Sequence, residues 1–284
     1  VVPTSAGSTT DSIARLITNR LSGKLKQQFV IDNRPIAHGN VGISIAASSL
    51  PDGHTLVIAG LNHFTVNPLL YKSVGFTVDQ FDPVAMIGMT PSVLVVNPLL
   101  PVNTLFEFTK FVKTNNVNYG SSGYGSTMHL AGELFQILTE THMTHIIYPS
   151  QPLGLYDIIG NRIHVMFSLL PSSIHFINNG SLKAIAVLSE DRVDILKNTP
   201  TTKESGLPKL IAVASYGVFV SHKTSAKIIS LLNKEINEIL KDKEKVSQLG
   251  IYVIIGQPND LAKTLSKEQK EQKEFFEHTK IKIE

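Results

Sequence analysis

The chain contains no cysteine. That excludes disulfides, thiolate metal sites and cysteine nucleophiles, and it leaves the compartment open, because an exported protein with an adequate core needs no disulfide. Charge is also sparse. Asp, Glu, Lys and Arg make up 17% of the 284 residues, against ~25% in an average protein. With 42% apolar residues, the composition is that of a folding chain rather than a disordered one. An excess of one sign is missing: the net charge of +3 predicts no nucleic-acid footprint. Long hydrophobic runs are absent as well. The longest nearly uninterrupted one, Leu210 to Val220, is far short of the ~20 residues of a membrane-spanning helix. No export signal is visible. Val1-Val2 reads as a strand already running into a turn at Pro3, so the expectation is a leader removed together with the start of the first strand.

The length predicts two domains or one large one. Between Lys223 and Glu284 lie 12 Lys and 10 acidic residues, which read as the solvated faces of two amphipathic helices, near Ala226–Lys241 and from Pro258 to about His278. Upstream, helix and strand periods alternate. Ser8-Thr9-Thr10-Asp11 caps a helix carrying Ile13, Leu16, Ile17 and Leu21, with Asp11 favouring the positive end of its dipole. Phe29-Val30-Ile31 reads as a short strand, Asn40 to Ser48 as a helix and Thr55–Ala59 as a strand after the Pro51-Asp52-Gly53 turn. Separate strands are expected near Val84–Ile87 and Val93–Val96, and Thr104-Leu105-Phe106-Glu107 is a capping box. The second half repeats the alternation, from a strand at Val117–Tyr119 to one at Lys183–Leu188, with Tyr216–Val220 as a crossing strand. Short strands joined by helices predict an α/β chain of two lobes, each a mainly parallel sheet flanked by helices with a cleft between. Their expected bounds are 1–97 and 216–284 for the first lobe and 98–215 for the second.

Two strand-to-helix turns carry small residues and hydroxyls: Pro3-Thr4-Ser5-Ala6-Gly7-Ser8-Thr9-Thr10 and Gly120-Ser121-Ser122-Gly123-Tyr124-Gly125-Ser126-Thr127. Each leaves backbone N–H groups free at a helix start, where an anion gains from the donors and from the dipole. Gly and Ser also cap helices in any protein, but one such turn in each lobe points to a shared anion site. Other motifs fail. Gly123-Tyr124-Gly125 lacks the third glycine of a dinucleotide fingerprint, and no Gly-Lys-Ser/Thr follows either turn. Gly120-Ser121-Ser122-Gly123-Tyr124 lacks the second glycine of a nucleophile elbow. His142 and His145 straddle a helix-to-strand junction, so they would not share a face as a metal pair must. His129, at a helix start, reads as bracing that start rather than as a base. No paired carboxylates stand near either turn, which weakens acid–base readings.

The turns and their surroundings resemble the periplasmic solute-binding proteins of tripartite tricarboxylate transporters, the Bug receptors. The likeness runs in order over essentially the whole chain: Gly7 with Thr10-Asp11 and Ala14-Arg15, Asn33-Arg34-Pro35, Gly39-Asn40-Val41-Gly42, Pro51-Asp52-Gly53-His54-Thr55-Leu56, Asn67-Pro68, Val93-Leu94-Val95-Val96-Asn97-Pro98, Tyr119-Gly120-Ser121-Ser122-Gly123 through His129-Leu130-Ala131-Gly132-Glu133-Leu134-Phe135, Thr144-His145, and Glu204-Ser205-Gly206-Leu207-Pro208. It implies a two-lobed type 2 periplasmic-binding fold that closes on a small mono-, di- or tricarboxylate, holding it through backbone N–H groups, hydroxyls and ordered water. Ser8, Thr9, Thr10, Asn62, Ser122, Gly125, Ser126, Thr127 and Ser168 match the positions expected to line the cleft. It further implies a non-enzymatic, monomeric receptor in the periplasm, needing no cofactor, with membrane transporter subunits as partners. Departures stand at Gly7-Ser8 for a double glycine, at Pro35-Ile36-Ala37-His38-Gly39 for Pro-Gly-Ala-Gly-Gly, at Tyr148-Pro149-Ser150 for Tyr-Lys-Gly, at Ser168-Leu169 for Asp-Asn, and at Ser215 for a tryptophan. Losing the polar pair at Ser168-Leu169 points to a more apolar substrate. Two alternatives stay open: an enzyme on the same scaffold using His129 or a serine of the second turn, opposed by the lack of a base–orienter pair, and a ligand-sensing domain, which no DNA-binding helix precedes.

Overall fold

The computed structural model describes residues 1–242, 250–279 and 281. In chain order its elements are α1 (Thr9–Leu25), α2 (Asn40–Ala47), β1 (Leu56–Gly60), α3 (Asn62–Thr65), α4 (Asn67–Leu70), β2 (Phe81–Val96), α5 (Leu105–Thr114), β3 (Asn118–Ser121), α6 (Thr127–Thr139), β4 (Thr144–Ile147), α7 (Gln151–Ile159), β5 (Val165–Leu169), α8 (Leu170–Asn178), β6 (Lys183–Val187), β7 (Val213–Ser221), α9 (Ala226–Leu240), β8 (Tyr252–Val253) and α10 (Pro258–Thr279). They fall into two compact units, Val1–Met89 with Ser215–Glu284, and Thr90–Ala214. The first division comes earlier than the 97/98 boundary read from sequence. The end of β2 pairs with β5 and β6 from Ser92 onward, which commits Thr90–Asn97 to the second unit.

In the first unit, β1 pairs antiparallel with β7, β7 lies beside β2, and β8 adds antiparallel to β2 at Gly88 and Met89. Gly88 has φ +151°, and a Cβ there would collide with the Tyr252 carbonyl, so only glycine lets β8 approach this closely. Ile43, Val57, Leu61, Met86, Leu261 and Leu265 form the core, and Phe64 sits at its centre with ring centroids 5.8, 5.4 and 4.6 Å from those of Phe76, Phe81 and Phe219. Truncating such a residue to Ala typically costs ~3–5 kcal/mol.

In the second unit the sheet order is β6-β2-β5-β3-β4. Strands β3, β4 and β5 are parallel, whereas β2 runs antiparallel to both β5 and β6. Alternate residues of β2 feed two cores: Leu94 and Val96 face Phe108, Phe135 and Phe167, while Val93 and Val95 face Leu155, Ile158 and Met166. The sheets are therefore mixed rather than mainly parallel. The reason is the long crossing strands β2 and β7, which carry the chain out of the first unit and back. Two strands expected at Val84–Ile87 and Val93–Val96 are one continuous β2. No strand forms at Phe29-Val30-Ile31: that stretch meets Val1-Val2 only through a single parallel bridge, Val2 with Asn33, and Val30 is 78% exposed.

Candidate functional site

Each donor-rich turn is built inside its own unit. In the first, Gly7 takes φ +78° and Ser8 caps α1, its hydroxyl accepting the Asp11 N–H at 3.2 Å and lying 2.7 Å from the Thr4 hydroxyl. Asp11 does more than complement the dipole. Its buried carboxylate accepts the Gly7 N–H at 2.9 Å, the Asn33 amide at 3.0 Å and the Arg15 Nε at 2.9 Å, and Asn33 also donates to the Thr4 carbonyl at 3.1 Å. Burial works against ionisation here, but the bonds from Arg15, Gly7 and Asn33 outweigh it and hold the carboxyl below its usual range. The turn from Thr4 to Ser8 is thus clamped from behind. Thr9 and Thr10 begin the helix and are buried. The Thr10 N–H, in the first turn, has no acceptor within the helix.

Asn62 opens α3 half-buried, its Oδ1 folded over Gly60. Beside it the buried His63 places Nδ1 2.9 Å from the Gly60 carbonyl. His38 stacks on His63 at 5.4 Å and on Tyr71 at 6.4 Å, with Nδ1 3.1 Å from the Asn67 Oδ1. Burial, together with the neighbouring His63, pushes His38 down to about 3, so the ring is neutral. Ala37, His38 and Gly39 all have left-handed backbone (φ 51°, 53° and 81°), which costs the two non-glycine residues ~1–2 kcal/mol each. A Cβ at Gly39 would strike the Pro3 carbonyl, so this loop is pressed against the chain entering the first turn.

In the second unit the turn follows the C-terminal end of β3. Ser126 caps α6: its hydroxyl accepts the His129 N–H at 3.2 Å and donates to the Gly123 carbonyl at 2.7 Å. Gly123 and Gly125 take φ +114° and +80°, and the Gly125 N–H donates to His129 Nδ1 at 3.3 Å. Thr127 and Met128 open α6 with N–H groups that have no intrahelical acceptor. Ser168, one residue before the end of β5, stands at the level of Ser122, each two positions beyond the paired Met166 and Gly120. Ser122, Gly125, Ser126 and Thr127 therefore share one turn, with Ser168 on the neighbouring strand end, where ligands of α/β sheets lie. Not all of these groups are available. Ser168 is 0% exposed, and its hydroxyl takes the Gln151 amide at 2.7 Å. The hydroxyls of Ser8 and Ser126 are spent on capping, whereas those of Ser122 and Thr127 have no protein partner among the described residues.

Sequence reading missed the ring cluster behind this turn. His145 stacks on Tyr119 at 4.8 Å and 17°, meets Tyr124 edge-on at 5.3 Å and lies 4.7 Å from His129. Its Nε2 is 2.6 Å from the Ser121 hydroxyl, which also accepts the Gly123 N–H at 3.0 Å. Burial pushes His145 down to about 4. Its buried Nδ1 has no partner among the described residues, and Ser121 is 0% exposed. A serine–histidine pair is present, but its serine is sealed and its histidine has no orienting carboxylate among the described residues, where the triad logic of nucleophilic catalysis needs one. Tyr119 and His145 alternate with core residues on strands, a pattern that sequence alone cannot tell from packing. His142 is exposed and apart from this cluster, and no metal-holding group of side chains occurs among the described residues.

Residues 13–280 match the family model described as the tripartite tricarboxylate transporter family receptor. The chain belongs to that family. This receptor is similar to Protein BugT of Bordetella pertussis, at 32% identity over 266 residues that cover 91% of this chain and 82% of BugT. A solved structure of an R. palustris protein with adipate matches it with TM-score 0.95 at 30% identity, covering 99% of this chain and 96% of that one. MatC from Rhodopseudomonas palustris with bound malate matches with TM-score 0.90 at 26% identity, covering 96% of each. The two-lobed α/β architecture of periplasmic binding proteins is thereby shown for this receptor.

Proposed function

We propose that this receptor captures a small organic carboxylate in the periplasm, through the starts of α1 and α6, and hands it unchanged to the membrane subunits of a tripartite transporter. The observation that carries this reading is the pair of clamped turns with first-turn N–H donors at Thr10, Thr127 and Met128, free hydroxyls at Ser122 and Thr127, and no Lys or Arg in either turn. Such a site suits an anion held by dipoles and N–H groups. The adipate and malate in the relatives support dicarboxylates as the first candidates. Among the described residues no helix is long and apolar enough to cross a membrane. The enclosed Ser168, whose hydroxyl is taken by the Gln151 amide, supports a ligand whose far end is apolar. Calorimetric titration with a series of monocarboxylates and dicarboxylates of increasing methylene count tests the reading. Saturable 1:1 binding of an acid recovered unchanged supports it, and heat from neutral sugars or amines alone overturns it.

A further inference from the structure

The chain has a single Asn-Gly pair, Asn179-Gly180, and the fold sets it just past the C-terminal end of α8. Asn178, Asn179 and Gly180 are all exposed. Asn179 caps the helix, and Gly180 turns the chain with φ +77°. A Cβ at Gly180 would meet nothing within 4 Å, so the space around this residue is open. The Ser181 N–H donates to the Asn179 Oδ1 at 3.0 Å. That bond polarises the side-chain carbonyl and puts a donor where negative charge gathers when its carbon is attacked. The Gly180 N–H donates to the Ile177 carbonyl at 3.1 Å, a bond at an exposed helix end of the kind that opens by local fraying. Two other places in the chain share part of this arrangement. In Asp52-Gly53-His54 the His54 N–H donates to the Asp52 Oδ1 at 2.9 Å and Gly53 has φ +81°. Asp52 has no amide to lose, and a Cβ at Gly53 would lie 2.6 Å from Ile228, so that turn is packed. Asn178 is as exposed as Asn179, but the residue after it carries a side chain that crowds the backbone nitrogen, which glycine does not.

We propose that Asn179 is a self-modification site of the folded protein, at which the backbone nitrogen of Gly180 attacks the Asn179 side-chain amide. The nitrogen bonds to Cγ and gives up its proton, the Cγ–Nδ2 bond breaks, and the side-chain nitrogen leaves as ammonia. The product is a five-membered cyclic imide. Water then adds to one of its two carbonyls and opens the ring, to aspartate or to an isoaspartyl linkage in which the chain runs through the side-chain carbonyl. Nothing is oxidised or reduced, and water is the one co-reactant. Each event replaces a neutral amide by a carboxylate at the C-terminal end of α8, where the helix dipole disfavours negative charge. The isoaspartyl form also adds a methylene to the main chain, in the turn where the Leu182 N–H donates to the Phe176 carbonyl at 2.9 Å just before β6. Over its nine residues α8 spans ~13 Å, which separates the new charge from Ser168 and the strand end. The modification therefore acts on the stability of the second unit and is independent of the carboxylate reading.

The test ages the full chain and an Asn179→Gln variant side by side in warm, mildly alkaline buffer, with circular dichroism to follow the fold. Peptide mass mapping locates each amide-to-acid exchange, and enzymatic methylation specific for isoaspartyl groups counts the rearranged product. The folded wild type is expected to convert Asn179 at least tenfold faster than Asn178 or any other asparagine. Methylation should label the aged wild type and leave Asn179→Gln blank, because the longer side chain cannot close the five-membered ring. A folded chain in which Asn179 reacts no faster than Asn178 overturns the proposal. So does reaction at Asn179 that begins only when urea unfolds the chain, since the Ile177 bond then shields the nitrogen in the native protein.

Discussion

Thr127 offers the sharpest single-residue test of the anion site. It is the first residue of α6, and Ser126 before it is extended at φ −65° and ψ 150°, the backbone that a following proline demands. Proline is tolerated at this helix position because its N–H would go unused by the helix. Thr127→Pro therefore removes one donor with little cost to the fold. Hydrogen bonds to charged groups contribute ~1.5–3 kcal/mol, so the carboxylate affinity should fall ~10-fold to ~100-fold, while Thr127→Val, which keeps the N–H, isolates the hydroxyl. Unchanged affinity in a well-folded Thr127→Pro protein removes α6 from the site. Acid titration separates two other side chains. The folded His145 sits at about 4 against an ordinary 6.5, so as pH falls from 6.5 the unfolded chain binds a proton that the folded one does not, and stability declines down to about pH 4. Asp11 is shifted down as well, in a lower pH window: its stabilisation is complete above the ordinary carboxylate range and is lost as pH falls through its lower folded value. Melting temperature against pH should lose part of its slope between pH 6.5 and 4 in His145→Phe, the rest staying with the buried His38 and His63, and should flatten below pH 4 in Asp11→Asn. Curves parallel to wild type in both variants would contradict these assignments.

At the scale of elements, β2 is the piece on which both units depend, and Gly88 is its weak point. A side chain there meets the Tyr252 carbonyl, so Gly88→Val should displace β8 and cost ~1–3 kcal/mol through overpacking, read as a lower urea midpoint with an unchanged slope. A midpoint within error of wild type would mean that β8 contributes nothing to the unit. Helices such as α1, α5, α6 and α9 were legible in the sequence because their signals are local: Ser8, Thr104, Ser126 and Ser225 each accept an N–H three residues on, and the apolar stripe behind each cap repeats at the helix period. Strand identity was less legible because it depends on partners far along the chain. Phe29-Val30-Ile31 has strand composition but pairs with no strand among the described residues, and Val84–Ile87 merges with Val93–Val96 through a glycine and a proline that read locally as a break. The turns of the site could be found from their small residues. The roles within them could not, since whether Ser122 or Ser126 keeps a spare hydroxyl is decided by the Gly123 carbonyl and by capping geometry. Gln151, His145 and Asn33, which pin the turns, join them only through tertiary contact.

For the whole molecule, binding should register as stability in a predictable amount. A ligand that binds only the folded chain adds RT ln(1 + [L]/Kd), about 2.7 kcal/mol at 100 times Kd and about 4.1 at 1,000 times. Unfolding entropy scales at ~2.1 cal/mol/K per residue, so a chain of 284 residues has about 0.6 kcal/mol/K in all. The melting temperature should therefore rise by about 4–5 °C at 100 times Kd and by about 2 °C more for each further tenfold of acid. The logarithmic form matters more than the size of the shift. Non-specific salt stabilisation grows with concentration in the millimolar range and does not distinguish acids of equal charge, whereas a site gives one slope for every ligand, offset by its Kd. Thr127→Pro should keep the slope and move the offset by its loss of affinity. Differential scanning fluorimetry over four decades of acid, with wild type and variant side by side, checks both features. A shift that appears only at high concentration, equal for all dicarboxylates and for both proteins, would detach carboxylate binding from the α6 turn.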